Sequence, residues 1–413
     1  MTRLPFPRVW WWSAALYLIS LCYLLFQGGK TSLMLFAILN ALAVYLMLGR
    51  WSGIGGVEGV RLTEAGDGKS ALLTAGTRLQ VKLRMHVPGF WPLPYVIVRE
   101  KLVRTTGGDA QIYEMSFVPD YRRKGEVQFE TAPLRRGRYQ FQETDCSTRD
   151  IFGLFEHRGS FRQPLLVQVL PRTVPLKDWR LLRRSQRGVF QHTFTALWAR
   201  ETTQIDGVRE YIHGDRLSRI HWNATAKTGQ WKSKEFEREA LPRVVFVLDR
   251  NAYAYAHPEQ FELAVSAAAS LLELTISRGM PVGFVSAGRD ESWYGEGRAP
   301  VSRDEVFQHL VDVEADGDWP MDRLLAQVAE RYEPGVHIVV IGSGADEQLS
   351  AAMSVLESKR MVPSIIHIGH PSMSAEAAAQ LRHWQLLCQS KQWEFVSIRE
   401  LDALPQAIGG ASA

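Results

Sequence analysis

The residues best suited to chemistry gather between Gly207 and Lys227, a run reading Gly-Val-Arg-Glu-Tyr-Ile-His-Gly-Asp-Arg-Leu-Ser-Arg-Ile-His-Trp-Asn-Ala-Thr-Ala-Lys. Three of its four cations, Arg209, Arg219 and Lys227, carry donors that could hold a phosphate or a carboxylate. The same cations can instead pair with Glu210, Asp215 and Glu237 and serve only structure. Gly214-Asp215 is a turn signal. Asp215 is placed to cap a short helical turn that would set Arg219 and Trp222 on one face. Tyr211 and Trp222 are expected to anchor a core rather than to form a stacking platform.

Elsewhere the constellations that catalysis needs are missing from the sequence. It has no Gly-x-Ser-x-Gly elbow, no His-Glu-x-x-His and no phosphate-binding glycine loop. Gly29-Lys30-Thr31 imitates the end of such a loop, but Leu24 stands where its first glycine belongs and an apolar run stands where its strand belongs. The 11 histidines are scattered. His337 and His367, in apolar runs, read as core residues. Cys22, Cys146 and Cys388 form no Cys-x-x-Cys pair, so zinc and thioredoxin-type motifs are unsupported and a reducing compartment is favoured. No catalytic residue is assigned, and an enzyme is not expected.

The elements that must position these residues come in three styles. Val9–Phe26 and Ser32–Leu48 are uncharged apolar runs joined only by Gln27–Thr31, which predicts a two-helix transmembrane hairpin over residues 1–56. Trp10, Trp11, Trp12 and Trp51 match interfacial aromatic belts. No small-residue cleavage site follows the first run, so a signal peptide is the poorer reading. Arg3, Arg8, Arg50 and Arg61 on one side outnumber Lys30 on the other, which places the soluble body in the cytoplasm and the chain in the cell membrane as a multi-pass protein. The 48 Lys and Arg exceed the 44 Asp and Glu by four, all of that excess lying within residues 1–50. A neutral body is not expected to bind nucleic acid.

Residues 57–171 show short alternating runs, among them Leu79–Met85, Tyr95–Val98, Glu126–Phe129, Tyr139–Phe141 and Leu166–Val169, punctuated by Gly and Pro. They predict an antiparallel β-sandwich or barrel. Residues 172–241 form a basic connecting segment, with 14 basic and 7 acidic groups up to position 238. From Pro242 to Ala413 the pattern turns α/β. Val244–Leu248, Pro281–Ser286, His337–Ile341, Ser364–Ile368 and Trp393–Ser397 read as strands. Helices are expected over Phe261–Arg278 and Asp346–Lys359. A parallel sheet covered on both faces follows, with ligand space beyond Asp249 and Gly342.

The run from Gly207 resembles the signature of the bacterial family called domain of unknown function fifty-eight, roughly G-x-R-x-Y-x-x-G-D-x-x-R-x-I-x-W-x-x-[ST]-A-[KR]. Gly207, Arg209, Tyr211, Gly214, Asp215, Arg219, Ile220, Trp222, Thr225, Ala226 and Lys227 match it. Arg136–Tyr139 and Asp150-Ile151-Phe152-Gly153-Leu154 resemble two further family segments. The resemblance implies a membrane anchor, a β-rich middle and a von Willebrand factor A-like C-terminal domain. It also implies partnership with a MoxR-type AAA+ ATPase and a transglutaminase-like membrane protein, hence a protein-interaction or adaptor role. The alternative is a regulatory sensor binding an anionic lipid or a phosphorylated ligand through the basic segment. In A-type domains an Asp-x-Ser-x-Ser loop holds magnesium. Here it reads Asp249-Arg250-Asn251-Ala252-Tyr253, with Asp346 as a further carboxylate, so the expected metal site is degraded and magnesium binding is not favoured.

Overall fold

The computed structural model describes residues 8–49, 51–63, 70–151, 153, 156–180, 199–213, 215–240, 243–295, 301–370 and 375–409. Gly214, Phe152 and Leu154 of the sequence reading lie outside these residues. The chain divides into two compact units, Met1–Val169 and Leu170–Ala413.

The first unit opens with two helices, α1 (Arg8–Gln27) and α2 (Lys30–Gly49). They touch through Tyr17, whose Oη donates to Asn40 Oδ1 at 3.1 Å and whose ring meets Phe36. The segment beginning with α2, Lys30–Gly56, is long and apolar enough to cross a membrane; the apolar part of α1 among the described residues, Ala14–Gln27, is shorter.

Ten strands follow: β1 (Glu58–Thr63), β2 (Ser70–Thr74), β3 (Gln80–His86), β4 (Val96–Arg104), β5 (Ala110–Phe117), β6 (Lys124–Glu130), β7 (Gly137–Phe141), β8 (Thr144–Arg149), β9 (Glu156–Phe161) and β10 (Leu166–Leu170). One sheet has the order β1-β3-β6. The other runs β2-β10-β7-β4-β8-β9, with β5 on β4. The alternation of β3, where Val81, Leu83 and Met85 are buried between exposed neighbours, gives that strand one apolar face. This face shares a single buried cluster with Val96, Val98 and Leu102 of β4 and Val167 and Val169 of β10. Inside it Arg61 and Glu100, both fully buried, pair at 2.7 Å. Thr144 Oγ1 donates to the same carboxylate, Arg61 bonds Gln163, and its guanidinium lies 4.4 Å from the Phe141 ring centre. A charge pair this dry is held by such partnering, although Arg61 Nε itself is buried without a hydrogen-bond acceptor.

The path from α2 to β1 is short and rich in glycine, yet it is packed. Gly53 adopts φ 75°, and a Cβ there would collide with the Pro88 carbonyl; a Cβ on Gly159 would collide with that of Ile54. Backbone lies directly on backbone at both places.

The second unit contains β11 (Ala199–Glu210), α3 (Trp222–Thr228) and β12 (Lys232–Ala240), where β11 and β12 form an antiparallel hairpin. An α/β sheet follows: β13 (Val244–Asp249), α4 (Pro258–Ser277), β14 (Val282–Ala287), β15 (Glu291–Tyr294), α5 (Arg303–Asp312), α6 (Met321–Arg331), β16 (His337–Gly342), α7 (Glu347–Ser358), β17 (Val362–Ile368), α8 (Ala375–Lys391), β18 (Glu394–Ile398) and α9 (Leu404–Gly409). Strand order is β15-β14-β13-β16-β17-β18, all parallel except β15. The sequence reading has the parallel strands and lacks β15, a polar edge of four residues. Val244, Phe246 and Leu248 face α4, α5 and α9, while Val245 and Val247 face α6, α7 and α8. Burial on both faces is why these strands are continuous apolar runs. The chain leaves β13 to one side and re-enters the sheet at β16 on the other, so the carboxyl ends of those two strands flank a topological switch point.

Candidate functional site

The signature residues lie on the hairpin and its tip. Arg209 Nη2 donates to Asp215 Oδ1 at 2.7 Å, and Asp215 Oδ2 accepts the Ile212 N–H. The guanidinium holds the Asp215 carboxyl below its usual range. Asp215 therefore ties the first turn of the tip and caps no helix, contrary to the sequence expectation. The helix cap is His221, whose Nδ1 accepts from the Ala224 N–H at 3.1 Å, and Gly229 in the left-handed region closes α3. Residues Leu217–Arg219 form a separate 3-10 turn, so Arg219 and Trp222 belong to different elements and not to one helical face. Thr225 Oγ1 accepts the Lys232 N–H, and Lys232 Nζ reaches Glu210. Ile220 bridges Ser233, and both are buried. Lys227 is exposed in the last turn of α3, where a cation complements the helix dipole.

Trp222 is 63% exposed and Trp231 52% exposed, with ring centres 6.3 Å apart; half-buried Tyr211 stands 5.7 Å from Trp231. Trp222 is thus not a core anchor. Residue type suggested burial, but α3 is one short helix standing on a two-stranded ribbon, and Ile220 takes the buried position beside it. Ile212 and Leu217 are exposed at the same tip.

The other sequence-derived site lies at the carboxyl end of the sheet. Asp249 is buried, and desolvation pushes its carboxyl up to about 6, with the Asp346 charge adding to the effect. Gly342 admits it: a Cβ at that position would stand 2.7 Å from Asp249 Cβ. Asp249 Oδ1 accepts the Asn251 N–H, Asn251 Oδ1 accepts the Tyr253 N–H, and Asp346 Oδ1 accepts the Leu349 N–H at the start of α7. Each of the three side chains gives one oxygen to a backbone amide, and Asn251 and Tyr253 stand where the A-type loop carries hydroxyls, which makes a poor magnesium site. Among the described residues no group of three or more His, Cys, Asp or Glu could hold a metal ion. Arg250 is equally committed. It donates to Asp316 at 2.6 Å and to the carbonyls of Glu314 and Asp290, fastening two loops.

Beside Asp346 a cleft of about 330 Å³ opens at the ends of β16 and β17. His257, Gln260, Ser343, His367 and His370 line it, and the rings of His257 and His370 stack with centres 4.1 Å apart. His367 Nδ1 lies 3.2 Å from Ser397 Oγ, and burial lowers its pKa to about 4. The cleft opens where the sequence placed ligand space, beyond Gly342, but sequence reasoning did not name His257, Gln260 or His370, because the lining comes from three separate strand-to-helix junctions. The one available signal was that each junction follows a buried strand on the carboxyl side of the sheet.

Comparison with known proteins bears on the hairpin more than on the cleft. Over 340 residues the chain is 24% identical to the uncharacterized protein YeaD of Bacillus subtilis (strain 168), covering 80% of this chain and 81% of that one. Among solved structures, proximal thread matrix protein 1 of the mussel byssus aligns with a TM-score of 0.30 at 11% identity. The alignment covers 41% of this chain and 46% of that one, and at this TM-score it carries no argument about the fold. The CARDB domain of the PF1109 protein from Pyrococcus furiosus gives a TM-score of 0.18 at 12% identity, covering 28% of this chain and 87% of that one. Residues 207–315, from the hairpin signature through the first half of the α/β sheet, match the family described as Protein of unknown function DUF58.

Proposed function

We propose that this chain is a DUF58 member that works as a membrane-anchored protein-interaction protein and receives its partner at the tip of the signature hairpin. The observation that carries this reading is the exposed pair Trp222 and Trp231, with half-buried Tyr211 beside them and Ile212 and Leu217 exposed at the same tip. Large aromatic side chains at the centre of a polar surface are the usual anchors of protein interfaces. The tip is held by its own bonds, Arg209–Asp215 and Thr225–Lys232, so the exposed rings are not needed to keep it folded. A sensor for anionic ligands would draw on the same segment, but Arg209 and Lys232 are already engaged by Asp215 and Glu210.

The remaining parts complete the reading. The α/β sheet is taken as von Willebrand factor A-like, because its order and antiparallel third strand suit that fold. The two sheets of the first unit are taken as a β-sandwich. We read α1 and α2 as a transmembrane pair with the soluble body in the cytoplasm, on the basic residues flanking their outer ends. Family resemblance names a MoxR-type AAA+ ATPase as the first partner to try, with a transglutaminase-like membrane protein beside it. A photo-crosslinking residue placed at exposed position 217, beside the intact indoles in growing cells, tests the docking site. The expected product is a covalent adduct with the ATPase. An adduct with lipid alone would favour the anionic-ligand reading, and no adduct beside intact ATPase binding would remove the hairpin tip from the interface.

A further inference from the structure

One surface of the first unit has no role in the hairpin reading. Where α2 ends, the loop Gly89–Pro94 of the β-rich part comes up beside it. Phe90 is 73% exposed and its ring centre stands 6.5 Å from that of Trp51, itself exposed directly after α2. Trp91 packs on Tyr45 of α2 at 5.7 Å, and the N–H of exposed Ile151 donates to the Tyr45 hydroxyl. The loop thus meets the helix exit through Phe90 and Trp51 and the last turns of α2 through Trp91 and Tyr45, with exposed Ile151 bonded to Tyr45 by its backbone.

The loop is held in that position. Arg123, with φ 58°, donates to the carbonyls of Val87, Pro88, Trp91 and Ser52, joining the loop to the strand entry on one side and to the helix exit on the other. A guanidinium spent on four carbonyls fixes an apolar loop whose own side chains leave Phe90 bare. Along α2 itself Leu33, Ile38, Val44 and Met47 are likewise exposed within the protein. Met47 near the end of α2 is thus followed within a few residues by exposed Trp51 and, beside it, Phe90.

We propose that the Gly89–Pro94 loop is a second membrane contact, with Phe90 seated in the headgroup region of the bilayer that α2 crosses. The occupant is lipid, because the loop stands beside the end of α2 and its residues are the aromatic and aliphatic types that interfaces accept. The inference rests on reading α2 as a membrane span, and the test separates the two. The full chain carrying Cys22→Ser is reconstituted in vesicles of phosphatidylcholine with phosphatidylglycerol; Cys146 and Cys388 are buried and their thiols are pushed up to about 12 and about 11, which keeps them from labelling. A nitroxide is attached in turn at Phe90→Cys, Ile38→Cys and Ile112→Cys, and its accessibility to oxygen and to a water-soluble nickel chelate is measured.

The expected result is a ratio of oxygen to nickel accessibility several-fold higher at 90 than at 112, and higher still at 38. A deep reading at 38 with water-like values at 90 would overturn the loop contact and leave the span intact. Water-like values at all three positions would overturn both. Shielding of position 90 from both probes would mean a protein covers it, and would also overturn the proposal. Phe90 is exposed, so its replacement does not endanger the fold. Arg123→Gln provides a second reading: freeing the loop should make the label at 90 more mobile and shallower, while a rigid spectrum unchanged from the parent would count against the clamp.

Discussion

Replacing Asp249 by Asn removes a charge from the switch point of the sheet while keeping the shape and the oxygen that accepts the Asn251 N–H. In the folded chain this carboxyl titrates at about 6 against its usual 3.8, because burial penalises the ionised form and Asp346 repels it. The folded state therefore holds the proton more tightly than the unfolded state. Stability contributed by the protonated group is full below about 3.8 and is lost as the pH rises through about 6. The loss is about 3 kcal/mol, at about 1.4 kcal/mol for each tenfold change in proton affinity. An Asn at this position cannot ionise and escapes the loss. Its buried amide will find poorer partners, a cost of about 1–2 kcal/mol that does not depend on pH. Measuring the variant against the parent at several pH values cancels that constant.

The difference in stability should move toward Asp249→Asn by about 3 kcal/mol between about pH 4 and pH 8. Hydrogen exchange of the β13 and β16 peptides in the full chain, corrected for intrinsic rates, reads it directly because these central strands open only on unfolding of their sheet. A difference that stays flat with pH would refute the argument, since Asp249 would then ionise as easily in the fold as outside it. Magnesium offers a second check on the same site. The parent should gain little protection from it, and an EDTA-reversible gain that disappears in the Asn variant would show that this end of the sheet does hold a divalent cation.

Trp222→Ala should cost less than about 1 kcal/mol of stability, as exposed substitutions usually do, while abolishing the crosslink at the hairpin tip; a loss of several kcal/mol would mean the indole is buried in the working protein. Glu100→Gln, which strands the Arg61 charge inside the first unit, should lower stability by about 3–5 kcal/mol, and the double replacement Arg61→Met with Glu100→Leu should recover most of it; urea unfolding read by proteolysis of that unit checks both. His337 and His367 are held near 4 by burial, against a usual 6.5, so they support the fold above about pH 6.5 and withdraw that support as the pH falls toward 4. Replacing His367 by Gln should lessen the acid sensitivity of hydrogen exchange in β17, and an unchanged acid profile would exclude that histidine as its source.

The sheet was legible in the sequence wherever burial on both faces left a continuous run, as in Val244–Leu248, and α7 was legible because Asp346 supplies its cap. The β11–β12 hairpin was not, because Lys232–Ala240 is mostly charged, broken only by Ser233, Phe236 and Ala240, and reads as a solvated stretch until its partner strand is known. The signature stood out as a string and offered Asp215 as a partner for its cations, yet its spacing did not reveal that Asp215 ties the turn at Ile212 instead of capping a helix. The Arg61–Glu100 pair and the stacking of His257 on His370 were invisible for a simpler reason. Each is made by residues far apart in the chain, and only the register of strands brings them together.

The joint between α2 and the β-rich part has a mechanical meaning. At Gly53 and Gly159 the contact is main chain against main chain, with no side chain to bend or re-pack. Such a joint transmits torque. A turn of α2 about its own axis would swing the ten strands behind it as one arm, and the length of that arm would magnify a small rotation in the bilayer into a large displacement at its far end. A single residue inserted between Gly49 and Glu58 would slip this coupling while leaving both ends folded.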